Sequence, residues 1–154
     1  MRWIETLSHD RVALQALVKE LRIVTLPGRS PEPACARLWF RAREAYFELF
    51  VDVRSDGIRW WQLTLRGLAW TWRRESGRIS VESTTENEVS LQPISAAVIL
   101  GRLPRDQRAS ALSFCAALLE ESADPFIRNC GRLARSSLNT FEPSVAKAEL
   151  QPSL

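Results

Sequence analysis

From Ala45 to Arg74 the chain reads AYFELFVDVRSDGIRWWQLTLRGLAWTWRR, alternating apolar and polar residues with a period of two, and four of its six Trp fall in this run. That period belongs to strands with one buried face and cannot lay a single stripe along a helix. Ser55-Asp56-Gly57, Gly67 and Glu75-Ser76-Gly77 punctuate the run, and glycine supplies the positive φ that tight turns require. Turns this short join only antiparallel neighbours, so the expected topology is a meander. Strands are predicted near 37–43, 45–53, 58–65, 68–74 and 78–84. The first two are read either as separate strands or as one long strand bent near Ala42-Arg43-Glu44.

The alternation also sorts side chains between two faces. Phe47, Leu49, Val51, Val53, Trp61, Leu63, Leu65, Leu68, Trp70 and Trp72 form the predicted core face. Tyr46, Glu48, Phe50, Asp52, Trp60, Gln62, Thr64 and Arg66 form the other.

Helical periodicity flanks the sheet. Val12, Leu14, Leu17, Val18 and Leu21 recur at helical spacing, predicting a helix over 9–22 with Ser8 as its N-cap. A short extended run, Ile23 to Leu26, leads into GRSPEPACA, whose prolines mark an exposed connection. After a polar stretch, a sixth strand is expected at Val89 to Gln92, then a helix from Ser95 to Leu100 stopped by Gly101. Pro104 opens a helix to about residue 121, and a last helix spans about Asp124 to Arg135. The fold class expected is α+β: an N-terminal helix, a five- to six-stranded antiparallel meander, and C-terminal helices packed on one sheet face. Residues 1–135 are read as one domain and 136–154 as a poorly ordered or partner-dependent tail.

Composition narrows the function classes. A chain of 154 residues, 45% hydrophobic and 25% charged, can bury one proper core without disulfides or metals. It holds no apolar run near the roughly 18 residues of a membrane span, and its first residues lack the apolar core of a secretory leader. Three cysteines, Cys35, Cys115 and Cys130, form no CxxC pair. The expected address is therefore the cytoplasm, with no membrane partner.

Chemistry-bearing motifs are sparse. With a single His and scattered cysteines, no metal site is expected and no cofactor is assigned. His9 reads as a solvated helix-terminus residue, and Glu44 and Glu48 as carboxylates neutralised by neighbouring Arg. GxSxG, HExxH and GxxxxGK[ST] are all missing. An RxxxR formed by Arg37 and Arg41 is expected by chance in a chain with 19 Arg and two Lys. Between Arg37 and Arg78 nine Arg meet five carboxylates, so the sheet region is locally basic.

One constellation remains. Tyr46, Phe50, Arg59, Trp60, Arg66 and Arg73 are expected to combine aromatic rings and guanidinium groups on the sheet face opposite the core. Interfaces between proteins enrich Trp, Tyr and Arg while depleting Lys. The function expected is a non-catalytic protein-binding module: an adaptor, a chaperone-like protein or a subunit of a larger complex, with another protein or a second copy as partner. Single-stranded nucleic acid, gripped by stacking and phosphate neutralisation, is the alternative. A small enzyme without a recognisable motif is the second.

Overall fold

A computed structural model describes residues 2–24, 36–84 and 99–149 of the chain. The elements, in order, are helices α1 (Arg2–Ser8) and α2 (Arg11–Lys19), strands β1 (Arg22–Ile23), β2 (Ala36–Arg41), β3 (Glu48–Arg54), β4 (Gly57–Leu65), β5 (Leu68–Arg73), β6 (Arg78–Thr84) and β7 (Ile99–Arg102), then helices α3 (Arg105–Glu120) and α4 (Pro125–Glu149). The strands form one antiparallel sheet in sequence order, β1 to β7, with no crossover. The fold is the mixed α+β arrangement expected, with helices over one sheet face.

The turns explain the meander. Arg66 and Gly67 both take positive φ (47° and 83°) between the paired Leu65 and Leu68, which is the two-residue type I′ connection whose twist matches its strands. Gly57 and Gly77 take positive φ where β4 and β6 begin. Cross-strand partners share a face, so the register builds an inner face directly. Leu38, Val51, Trp61, Trp72 and Ile79 align across β2–β6, and beside them run Phe40, Leu49, Leu63, Trp70 and Val81. Trp61, Leu63 and Trp70 are fully buried there.

Helix α3 closes over this face. The Trp70 indole donates to the Ala111 carbonyl (2.9 Å), and Phe114 packs its ring 6.0 Å from that of Trp70. Trp3 of α1 meets Phe114 edge-on at 5.2 Å. Arg11 and Gln15 of α2 hold Glu121 at the end of α3, and their hydrogen bonds, with Gln15 foremost, lower the Glu121 pKa below the usual carboxylate value. At the β6 edge the Ile79 amide, which β7 does not reach, donates to the Ser137 hydroxyl of α4 (2.9 Å). A backbone donor that would otherwise invite another strand is thereby satisfied. No helix among the described residues is long and apolar enough to cross a membrane.

Several elements differ from expectation. The single N-terminal helix is two: Ser8 donates to the Ile4 carbonyl inside α1, and the cap of α2 is Asp10, whose carboxylate accepts the Ala13 amide (3.0 Å). Val12 is 75% exposed, so the buried stripe of α2 is Leu14, Leu17 and Val18. Of the two readings of 37–53, the structure shows the separate strands, β2 and β3, which pair with each other. Where a helix was expected to end at Leu100–Gly101, the chain forms β7, which pairs with Glu82, Ser83 and Thr84 of β6. Helix α4 runs to Glu149, past its expected end at Arg135. The expected connection at 28–35, including Cys35, the sixth strand at 89–92 and the cap at Ser95 lie outside the described residues.

Candidate functional site

The second face of the sheet is written by the same registers in three rows. Arg37, Asp52, Trp60, Arg73 and Arg78 make the first; Trp39, Phe50, Gln62, Thr71 and Ser80 the second; Arg41, Glu48, Thr64, Ala69 and Glu82 the third. The face carries three aromatic rings, and its arginines lie along two of them. The Arg37 guanidinium sits 5.2 Å from the centre of the Trp60 ring and binds Asp52 through two hydrogen bonds, at 2.7 and 3.0 Å. That bonding raises the Arg37 pKa further above its usual value. Trp39 and Phe50 stack with centroids 5.8 Å apart and planes 8° from parallel, and Arg41 lies 5.9 Å from the Trp39 ring. Planar groups held this way lose little rotamer freedom when something packs on them.

Of the six residues predicted to form the site, Phe50, Trp60 and Arg73 share this face. Arg59 belongs to no row, because it falls at an irregularity. Between the pairs Asp52–Trp60 and Val53–Ile58, β4 holds one residue more than β3, and that residue is Arg59. The bulge lets Ile58 turn inward although a strict period of two would align it with Trp60. Tyr46 and Arg66 stand elsewhere. Tyr46 has a φ of 59° and lies in the turn before β3, where its carbonyl accepts the Thr64 hydroxyl (2.8 Å). Arg66 occupies the type I′ turn, hydrogen-bonded to Glu44 (2.9 Å) and 5.5 Å from the ring of Trp3. Its role is to tie α1 to the β4–β5 hairpin. The period-two reading overran both turns because turn residues can continue an alternating pattern by chance.

Trp39, Arg37 and Arg41 were missed as site residues. The signal was present: ARLWFR alternates like the later strands, and an RxxxR pair on a strand projects both guanidinium groups from one face. The strand was recognised but its faces were not assigned.

Two acidic groups of the face are buried. Glu48 is 4% exposed, its Oε1 stands 3.7 Å from Arg41 Nε, and its Oε2 has no hydrogen-bond partner among the described residues. The Trp39 indole N–H, on the same face, is buried without an acceptor among the described residues. Burial pushes the Glu48 carboxyl above the usual range, and Arg41 opposes this only in part. A raised carboxyl pKa means that the folded chain holds this proton more tightly than the unfolded chain. The ionised group therefore opposes folding at neutral pH; the penalty fades as pH falls through the raised folded pKa and is gone below the unfolded value of about 4.3. Glu48→Gln is accordingly expected to raise the urea midpoint at pH 8 and to leave it unchanged near pH 4.

The catalytic candidates do not assemble. His9 is exposed between α1 and α2, Glu44 is held by Arg66, and Glu48 lies on the second face beside Arg41. Among the described residues no group of three or more His, Cys, Asp or Glu could hold a metal ion. Cys115 and Cys130 are buried free thiols whose pKa values are raised by burial above all, which keeps them in the unreactive protonated form. Compared with known proteins, the chain matches no family model, no curated protein and no solved structure.

Proposed function

We propose that this protein is a non-catalytic binding module, an adaptor, chaperone-like protein or complex subunit, that engages another protein through the second face of its sheet. The observation that carries the reading is the pre-organised aromatic and arginine array of Trp39, Phe50, Trp60, Arg37 and Arg41. The helix contacts described above fall on the inner face or at the β6 edge, away from this array. Rigid aromatic and guanidinium groups are the side chains that carry most binding energy at protein interfaces. The proposed compartment is the cytoplasm, in keeping with two free thiols.

The test compares wild type with Trp60→Ala and Phe50→Ala in co-purification and in titration of the captured partner. Each substitution is expected to weaken binding by about 2 kcal/mol or more, roughly 30-fold, with little change in the thermal melt. Undiminished capture by both folded variants would sink the reading. Single-stranded nucleic acid is disfavoured because Glu48, Asp52 and Glu82 interrupt any phosphate track across the rows. Steeply salt-dependent binding of an oligonucleotide, lost in Arg59→Ala, would put that reading in its place.

A further inference from the structure

β4 is the middle one of the five long strands, β2 to β6, that build the second face. A twofold rotation about an axis along β4 would lay this face on an identical one, with β2 over the partner β6 and β3 over the partner β5. The three rows can then be compared position by position. Asp52 falls opposite Arg73, and Arg41 opposite Glu82. Trp60 meets Trp60, and Gln62 meets Gln62, on the axis itself.

Size matches as well as charge. The bulky side chains Trp39 and Phe50 occupy the β2–β3 half, and Ser80 and Thr71 occupy the corresponding places in the β5–β6 half. A surface with knobs on one half and small residues on the other is complementary to itself under this rotation, which is what an isologous interface requires. One like-charge meeting arises, Arg37 with Arg78, at the outer corners of the face, where Arg37 already holds Asp52 through two hydrogen bonds.

We propose that a second copy of this chain is the occupant of the second face, forming a twofold dimer by sheet-on-sheet packing about β4. The inference rests on the reading of that face as a binding surface and names the partner. Sheets stacked face to face pack about 10 Å apart with strands within roughly 30° of alignment, which suits this axis. Five strands and three rows span roughly 24 by 20 Å, about 500 Å² per copy, a footprint of the weak, transient class and below that of stable complexes. The dimer is therefore concentration-dependent, with dissociation in the micromolar range, on the order of 10 μM.

Sedimentation equilibrium of the purified full chain tests this. The mass should rise with concentration from the 17.5 kDa monomer to twice that value. Glu82→Arg and Arg41→Glu should each weaken association at least tenfold, and the double variant should recover most of the loss, because each copy then carries the reversed pair. Gln62→Arg, which sets two like charges on the axis at a half-exposed position, should dissociate the dimer without lowering the melting temperature. This variant keeps the test open if Arg41→Glu disturbs the fold beside Glu48. A dimer indifferent to Glu82→Arg and Gln62→Arg, or a double variant weaker than both single ones, overturns the proposal. A wild-type chain that stays monomeric up to millimolar concentration also overturns it, and leaves the broader binding reading standing if capture of another protein still depends on Trp60.

Discussion

Trp61→Ala is expected to cost about 3–5 kcal/mol, a large share of the roughly 5–15 kcal/mol of an ordinary domain, while Trp60→Ala leaves the melt nearly unchanged. The two residues are adjacent in β4 and point to opposite faces. Trp61 is aligned between Val51 and Trp72 on the inner face and is fully buried, so its truncation opens a cavity that the sheet cannot collapse. Trp60 is only partly buried, with the Arg37 guanidinium along its ring and Arg73 as its cross-strand partner. Trp61→Phe should be milder than Trp61→Ala, because the retained ring fills most of the buried space and leaves a smaller cavity. Chemical denaturation of the three variants checks the register, and equal losses for Trp60→Ala and Trp61→Ala would reject it.

Gly131→Ala is expected to destabilise by about 1–3 kcal/mol, against the usual gain of about 1 kcal/mol for replacing a helical glycine by alanine. Helix α4 crosses α3 at this residue, and a Cβ there would stand 2.5 Å from the Glu120 amide nitrogen and 2.9 Å from the Leu119 carbonyl carbon. Both obstacles are backbone atoms and cannot swing aside, so the helices must separate. The separation would also disturb the neighbouring contact of Arg135 with Glu120 (2.9 Å) and the packing of Cys130 and Ala134. A thermal melt of Gly131→Ala at or above the wild-type temperature would show that the two helices can part without loss.

Strand positions were legible because two local signals agreed. Period-two patterning set β3, β4 and β5, and glycine turns set their ends, so every expected strand from 37 to 84 exists within a few residues. The faces followed from the same alternation, and Trp60 and Trp61 were separated correctly. What escaped was decided by tertiary partners. Arg59 reads as an ordinary strand residue until the inward turn of Ile58 demands a bulge. The apolar run before Gly101 suits helix or strand equally, and its pairing with β6 makes it a strand. Asp10 displaced Ser8 as a cap because α1 already engages the Ser8 hydroxyl. Within the site, Phe50, Trp60 and Arg73 were within reach of a one-strand reading. Trp39 required knowing which strand lies beside β3.

The sequence-ordered sheet has a consequence for how the chain is made. Strands β2 to β5 pair only with strands complete by residue 84, since each pairs with its immediate neighbours along the chain. Local pairing of this kind is the fast part of folding. The cover comes from much later residues: Trp70 waits for Ala111, Trp3 for Phe114, and Arg11 for Glu121. During synthesis the N-terminal helices therefore emerge first but lack their main packing partner until α3 exists. A nascent meander passes through an interval in which Trp61, Leu63 and Trp70 face solvent, and that interval, with its exposed apolar surface, is when the chain is most open to aggregation.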